Sequence, residues 1–169
     1  MDTITTPAYR TISNHAFAER RQKISNDQNA LFATRSFLPG EVIAEFTAGT
    51  IAAEPTYLTV QVGVGKHITL QPEFLQYINH SCEPNVFFDT TAMKLVALAE
   101  IQPEDEMTFF YPSTEWQMTQ SFNCYCGSKE CIGEIRGASF LPREILDKYR
   151  FTDFIQQQLA KQSARQQVA

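Results

Sequence analysis

The sequence predicts a mainly β fold for most of this chain, and three observations support the prediction. Between residues 41 and 111, short apolar runs alternate with turn residues, as in "EVIAEFTAGTI", "TYLTVQVGVG", "KHITL", "NVFFD", "KLVALAEI" and "EMTFFY". One of these runs places Leu58, Val60, Val62 and Val64 at alternate positions, the period of a strand with one buried face. No repeat or low-complexity stretch interrupts this pattern.

Glycine and proline mark the ends of several predicted strands. Gly63 and Gly65 end the alternating run just before Lys66. In "FLPGE" and "IQPEDE", a proline precedes an acidic residue and the next apolar run, which is the composition of a β-turn. We therefore expect a tight turn at each of these places.

The two ends of the chain depart from the β pattern. Near the N-terminus, "HAFAERRQKI" is expected to form a short helix or an irregular arm. Near the C-terminus, Pro142 suits a first helical turn, and two apolar sets follow at helical spacing. The sets are Ile145, Leu146 and Tyr149, then Phe154, Ile155 and Leu159. The sequence predicts a helical segment there, with a polar tail that frays beyond Leu159 because it has nothing to bury.

Composition limits the classes of function. The 169 residues, 43% of them hydrophobic and 12% aromatic, are enough for one compact domain with small appendages. The sequence shows no signal peptide and no apolar stretch long enough to span a bilayer, so a soluble, intracellular protein without a membrane partner is expected. The net charge of -5 argues against direct nucleic-acid binding. A negative surface could favour basic peptides, although a solvated surface is the preferred interpretation.

Four cysteines indicate a metal site. In a reducing compartment, cysteines are thiols or metal ligands more often than disulfides. The run "C-Y-C-G-S-K-E-C" supplies Cys124, Cys126 and Cys131 at a spacing that can begin a tetrahedral thiolate site for Zn²⁺. Cys82, far upstream, either completes that site or is a small buried apolar residue. We favour the metal role for Cys82.

The order of three segments resembles that of the SET-domain protein lysine methyltransferases with a post-SET zinc motif. The segments are "YINHSCEPNV", "PEDEMTFFY" and the C-x-C-x₄-C run, and the likeness covers roughly residues 31 to 133. The resemblance implies a SET-domain fold: small curved β-sheets with a knot-like C-terminal crossing, a post-SET zinc turn and a C-terminal helix. It implies an N-terminal arm over 1–24, a SET domain over 25–115, a post-SET zinc motif over 116–137 and a helical segment over 138–169.

The resemblance also implies roles for individual residues. Asn79 and His80 match the residues that meet S-adenosylmethionine around its adenine, and Cys82 matches the fourth zinc ligand. Tyr111 matches the active-site tyrosine. Phe109 matches a position of the substrate channel where phenylalanine leaves room for more methyl groups, so di- or trimethylation is expected.

Other side chains near this motif have two candidate roles. Tyr57 is a further candidate for the substrate channel, and a position on a strand surface is the alternative. Trp116 and Phe122 flank the entry to the zinc turn, where an aromatic ring could cover the lysine channel, and packing is the favoured role for both.

The chain departs from the family pattern at the expected cofactor strand. Where the family has G-x-G, this sequence has Gln28, Asn29 and Ala30. Asn29, Ala30 and Leu31 are the expected cofactor contacts, but the added side chains could re-aim the loop. Gln76 replaces a common arginine, and Phe110 replaces the usual acid before the tyrosine.

The function predicted by the resemblance is S-adenosylmethionine-dependent N-methylation of a lysine in a protein or peptide, histone or non-histone, with a structural zinc ion. One alternative is a non-catalytic SET-fold module that binds peptide or S-adenosylmethionine without turnover. A zinc-based nucleic-acid adaptor is a weaker alternative, because a basic stripe is missing.

Overall fold

The computed structural model describes residues 8–168, and short strands dominate them. The strands are β1 (Tyr9–Asn14), β2 (Ala18–Lys23), β3 (Asn29–Ala33), β4 (Val42–Glu45), β5 (Thr47–Ala52), β6 (Val60–Gly63), β7 (Lys66–Gln71), β8 (Asn79–His80), β9 (Val86–Asp89), β10 (Lys94–Ala97), β11 (Thr108–Phe109), β12 (Phe122–Asn123) and β13 (Glu134–Ile135). Single 3₁₀ turns cover Glu73–Tyr77, Tyr111–Ser113 and Ala138–Phe140, and the α-helices are α1 (Arg143–Leu146) and α2 (Asp153–Val168). The predicted mainly β class is confirmed.

The strands form small sheets, and one short pairing brings distant segments together. Three sheets have the orders β1-β2-β3, β4-β10-β9 and β5-β7-β6, and β12 pairs with β13. These pairings are antiparallel. By contrast, β8 and β11 are parallel, with Asn79 opposite Thr108 and His80 opposite Phe109. The "NHSC" segment and the tyrosine segment therefore meet in space, in agreement with the knot-like crossing that the resemblance implied.

The expectation of a helix or an irregular arm over "HAFAERRQKI" is wrong. This stretch contains β2, which pairs with β1 on one side and with β3 on the other. The strand has the sequence AERRQK, which lacks the alternation of apolar and polar residues from which a strand is predicted. The guanidinium of Arg20 lies 3.8 Å from the ring centre of Tyr77, and that of Arg21 lies 4.6 Å from the ring centre of Phe32. The arginine guanidinium groups thus cover aromatic rings that apolar side chains would otherwise cover.

Turns are present at both motifs where proline and glycine predicted them. In the "FLPGE" turn, the backbone N–H of Glu41 donates to the carbonyl of Leu38 at 3.0 Å, and Gly40 has a φ of +85°. In the "IQPEDE" turn, the N–H of Asp105 donates to the carbonyl of Gln102 at 3.1 Å. Two details differ: Leu58 lies in a turn before β6, and Val64 belongs to the turn between β6 and β7, where its side chain is exposed.

Two apolar clusters stabilise the chain. The larger one lies between the sheets and includes Leu31, Leu75, Phe88 and Met107. The smaller one joins the C-terminal helical segment to the tyrosine segment, and Phe110, Ala138, Phe151 and Ile155 are its buried members. Both predicted helical sets contribute to this cluster through Leu146, Tyr149, Phe154 and Leu159.

The second cluster explains one departure from the family pattern. The ring of Phe110 stacks on that of Tyr149, with 3.7 Å between centroids and 4° between planes. Phe110 is 1% exposed. A carboxylate at this position would be buried against an aromatic face, so the apolar residue fits the packing of the C-terminal segment.

The predicted fraying beyond Leu159 is wrong, because α2 continues to Val168. The tail "AKQSARQQV" is rich in alanine, glutamine, lysine and arginine, which are strong helix formers. Among the described helices, none combines the length and the apolar character needed to cross a membrane.

Candidate active site

Two cavities meet at Tyr111. The first, here called the apolar cavity, has a volume of about 720 Å³ and is lined mainly by apolar and aromatic side chains, with Leu70, Leu75, Ile78, Phe88 and Phe109 among them. The second, here called the polar cavity, has a volume of about 630 Å³ and is lined by Lys23, Gln28, Ala30, Asn79, His80 and Glu106 among others. Tyr111 and Phe122 line both cavities. The boundary between the cavities is therefore aromatic.

Tyr111 follows β11 and begins a 3₁₀ turn, so its backbone N–H is not used within a strand. That N–H donates to Nδ1 of His80 at 3.2 Å. The two rings lie edge to face, with 5.2 Å between centroids. Burial, together with the charge of Glu106, raises the pKa of Tyr111 to about 12. The phenol therefore stays protonated at neutral pH and can donate a hydrogen bond.

His80 connects the tyrosine to the cysteines. Its Nδ1 accepts from Tyr111, and its Nε2 lies 3.4 Å from Sγ of Cys82. Burial lowers the pKa of His80 to about 4. The ring is therefore neutral at pH 7, and the accepting role of Nδ1 puts its single proton on Nε2.

Asn79 is held by two acceptors on the rim of the polar cavity. Its Nδ2 donates to the carbonyl oxygen of Asn29 at 2.8 Å and to Oε1 of Glu106 at 3.0 Å. The side chain thereby joins β8 to β3 and fixes the amide in one orientation. Glu106 is the last of three acids in the "PEDE" turn, and nothing in the sequence distinguishes it from its neighbours Glu104 and Asp105.

The three expected cofactor contacts of β3 differ in position. Asn29 directs its side chain to Nε of Arg20, which donates at 2.9 Å, and it reaches the site only through its carbonyl. Ala30 lines the polar cavity. Leu31 is fully buried in the larger core cluster and lines neither cavity. We leave Leu31 out of the proposed site, since a side chain enclosed by the core cannot touch a ligand.

The expected substrate-channel residues both line the apolar cavity. The ring of Phe109 lies 4.7 Å from that of Tyr111 and 4.8 Å from that of Phe88. Tyr57 is 89% exposed, so it stands at the outer rim of the cavity. Phe122 lies between the cavities, 5.9 Å from Tyr111 and 5.6 Å from His80 between ring centroids. Phe122 packs against the rings of both residues and also lines both cavities, whereas Trp116 packs against the second core cluster.

The four cysteines converge on one point. Their Sγ atoms all lie within 4.8 Å of one another, and those of Cys82 and Cys124 are 3.9 Å apart. Four thiolates about 2.3 Å from a tetrahedral ion would be separated by nearly this distance. Cys82 is buried and the other three are partly buried. The donor set and the spacing fit a closed four-coordinate metal site.

An acidic residue that sequence reasoning missed also faces the apolar cavity. Glu115 is 8% exposed, and its Oε1 accepts from the backbone N–H of Gln61 at 3.1 Å and from the hydroxyl of Thr114 at 3.2 Å. Burial raises the pKa of this carboxyl to about 8. The local sequence "PSTEW" is typical of an exposed loop and gives no sign that Glu115 is buried. Its contact with Gln61 on β6 joins residues 54 positions apart.

The profile of the SET domain matches residues 28–112 of the 169. The chain belongs to the SET-domain family. This SET-domain protein is 40% identical over 124 residues to the methyltransferase flvH of Aspergillus flavus, covering 72% of the chain and 68% of that relative. It is 30% identical over 103 residues to the H3 lysine-36-specific histone-lysine N-methyltransferase of Saccharomyces cerevisiae, covering 54% of the chain and 14% of that relative.

Among solved structures, the SET-domain protein resembles the crystal structure of KRYPTONITE in complex with mCHG DNA and SAH. The TM-score is 0.50 at 24% identity, over 63% of this chain and 26% of the other. This likeness shows the fold alone. Both sequence relatives are methyltransferases by name, and the SET-domain protein is therefore a member of a methyltransferase family.

Proposed function

We propose that this SET-domain protein is an S-adenosylmethionine-dependent protein-lysine N-methyltransferase. The observation that carries the proposal is the position of Tyr111, which lines a polar cavity on one side and an apolar cavity on the other. A polar cavity suits a charged methyl donor, and an apolar one suits the methylene stem of a lysine. A transfer between two ligands requires that their reacting atoms meet at a common boundary.

The residues of the polar cavity fit the donor. Its volume of about 630 Å³ is in the range of small-molecule sites, roughly 300–1,000 Å³. Lys23 and Glu106 give it one group of each charge, which suits the carboxylate and the ammonium of an amino-acid moiety. Asn79 and His80, with the backbone beside Ala30, would contact the remainder. When bound, the donor supplies a sulfonium methyl group that a neutral amine can attack.

The chain's own residues would prepare the lysine. Its amine has an unperturbed pKa near 10.4, so it must lose a proton before it can act as a nucleophile. An apolar cavity disfavours the charged ammonium and lowers that pKa. The protonated hydroxyl of Tyr111 would orient the amine and hold the methyl group through weak C–H···O contacts. Phe109 adds no hydroxyl to this end of the cavity, which supports di- or trimethylation.

The cysteine cluster would bind a structural zinc ion. Cys82, Cys124, Cys126 and Cys131 leave no ligand position open for chemistry, so the metal would stabilise the fold rather than react. Cys82 lies two residues from His80, and β12 just before Cys124 contains Phe122. Zinc would thereby hold the aromatic boundary between the cavities in place. Four reduced thiols also support an intracellular location.

A non-catalytic binding module is the second candidate. The side chain of Ala30 occupies the wall of the polar cavity where the family has glycine, and Gln28 lines the same wall. Such side chains could hold a donor at a distance or an angle that does not allow transfer. The module would bind S-adenosylmethionine without turnover.

The decisive experiment supplies methyl-labelled S-adenosylmethionine and a proteome extract to wild type, Tyr111→Phe and Tyr77→Phe. Wild type should label lysine side chains, and Tyr111→Phe should lower the rate by about a hundredfold because the amine loses its orienting group. Tyr77→Phe is the matched control, since Tyr77 lines neither cavity and keeps its ring beneath Arg20.

Binding of the donor by calorimetry separates the two candidates. Tight binding with no transfer to any protein would favour the binding module. Equal labelling by wild type and Tyr111→Phe would remove the tyrosine from the mechanism.

A further inference from the structure

Glu115 is the one acidic residue among the described residues that line the apolar cavity. That lining contains no lysine, arginine or histidine among the described residues, and its other ionisable groups are Tyr57 at the rim and Tyr111 at the inner boundary. A buried carboxylate in an apolar wall has a desolvation cost that packing alone does not offset. The residue therefore calls for a functional explanation.

The two carboxylate oxygens of Glu115 have different environments. Oε1 accepts from the N–H of Gln61 and from the hydroxyl of Thr114, and both contacts fix the side chain. Within the described part of the chain, no group donates a hydrogen bond to Oε2. This oxygen is not completely enclosed by protein atoms either. Oε2 therefore remains available to a donor that enters the cavity.

The surrounding elements place no cation against this carboxylate. Gln61 on β6 is directly opposite His67 on β7, and His67 is the one histidine in the sheet of β5, β6 and β7. Burial lowers the pKa of His67, which keeps that ring neutral at pH 7. Tyr111 on the preceding 3₁₀ turn is a neutral phenol in the same range. A cation that pairs with Oε2 would have to come with the ligand.

We propose that Glu115 receives the amine of the substrate in the apolar cavity, pairs with it as an ammonium and accepts the proton that must leave before methyl transfer. This inference rests on the proposed function and adds a named proton acceptor to it. The proton moves from the ammonium nitrogen to Oε2, so a charged pair becomes a neutral amine and a neutral carboxylic acid. The amine lone pair then forms the N–CH₃ bond while the S–CH₃ bond of the sulfonium donor breaks and its electron pair stays on sulfur.

The local environment favours this exchange. In a low-dielectric cavity, two neutral groups are more stable relative to an ion pair than they are in water. Burial raises the pKa of the Glu115 carboxyl to about 8, which brings it closer to that of an amine. The general acid–base groups of enzymes have pKa values near the working pH for the same reason.

The first test measures amine binding without any methyl donor. Butylamine, a fragment of the lysine side chain, and the neutral butanol are titrated by calorimetry into wild type, Glu115→Gln and Glu144→Gln. Wild type should bind butylamine at least about tenfold more tightly than Glu115→Gln, whereas butanol should bind both alike. In wild type the affinity for butylamine should rise up to about pH 8, as the carboxyl ionises, and in the Gln variant it should not. Glu144 on α1 lines neither cavity, so its variant should match wild type.

The second test measures kcat/KM against pH with a labelled lysine peptide pool. Wild type should show a rise that levels off near pH 8, and Glu115→Gln should lose that inflection and be at least about tenfold slower at pH 7. The glutamine of this variant keeps an oxygen that can accept from the N–H of Gln61. An unchanged affinity for S-adenosylmethionine and an unchanged unfolding midpoint would verify that the variant is folded. Equal butylamine binding and equal pH profiles in wild type and Glu115→Gln would overturn the inference. Absence of methyl transfer in wild type would instead contradict the proposed function.

Discussion

The backbone N–H of Tyr111 donates to Nδ1 of His80 at 3.2 Å across 31 positions of the chain. This bond directly follows the short parallel pairing of β8 with β11, and its acceptor is a side chain instead of a backbone carbonyl. It fixes the tautomer of His80 and the direction in which the tyrosine leaves its strand. The site geometry thus depends on a contact between two separate segments.

We predict that Asn79→Asp disrupts the polar cavity. The amide of Asn79 donates to the carbonyl of Asn29 and to the carboxylate of Glu106, and an aspartate would place a third acceptor against those two. The cost should be about 1–3 kcal/mol of unfolding free energy. Donor affinity should fall at least about tenfold. Thermal unfolding and calorimetry measure both quantities.

Asn14→Asp on the exposed β1 is a matched control for that change. An Asn79→Asp protein with the stability and donor affinity of wild type would show that the two hydrogen bonds do not shape the cavity.

We predict one zinc ion per chain, bound by the four cysteines. Cys131→Ser should lower zinc content and loosen the segment that contains Phe122, since structural zinc contributes directly to folding free energy. Elemental mass spectrometry and methyl-transfer assays provide the measurements. Chelation should abolish transfer, and zinc added back should restore it in wild type only. Full transfer by metal-free protein would contradict the structural role.

We predict that Phe109→Tyr shifts the products toward monomethyl-lysine. The ring of Phe109 lies 4.7 Å from that of Tyr111, so a new hydroxyl would occupy space that a methylated amine needs and could bond that amine. Mass spectrometry of the product lysines gives the ratio of mono-, di- and trimethyl forms. Phe140→Tyr is the control, because Phe140 is 46% exposed and lies outside both cavities. An unchanged product ratio would show that Phe109 does not set the degree of methylation.

We predict that Glu115 makes folding stability decrease as the pH rises. The folded-state pKa of its carboxyl is raised from 4.5 to about 8, so between these values the folded state holds a proton that the unfolded state has lost. Stability from this one group should therefore fall by about 1.4 kcal/mol per pH unit in that window and stay constant above it. The stability of Glu115→Gln relative to wild type should increase from pH 5 to pH 8. Denaturant unfolding at several pH values checks this, and parallel curves for the two proteins would refute it.

Much of the fold follows from local signals in the sequence. Strands β4 to β7 and β9 to β11 carry apolar alternation or short apolar runs, and turn residues such as Gly40 and Gly65 mark their limits. The two-residue strand β8 is polar and carries no such signal. Strand β2 lacks this signal because the guanidinium groups of its arginines cover aromatic rings, and those rings belong to residues outside the strand. Helix α2 beyond Leu159 is formed mostly by polar residues of high helix propensity. The expectation that this tail frays considered only the lack of apolar residues to bury.

The candidate site divides in the same way. Tyr111, His80 and the cysteines carry a recognisable order and spacing. Glu106 and Glu115 are ordinary acids in sequence, and only contacts with Asn79 and Gln61 give them distinct environments. No local pattern encodes such long-range burial, so these acids could not be predicted.

The two-residue ladder between β8 and β11 has a consequence for biosynthesis. Closing it brings together segments separated by some thirty positions, and loop-closure entropy opposes that step until many other contacts have formed. The cysteines that follow Phe122 emerge from the ribosome later still. The sheets β1-β2-β3 and β5-β7-β6 can therefore form in a nascent chain well before the candidate site does, because that site needs residues from the last third of the polypeptide.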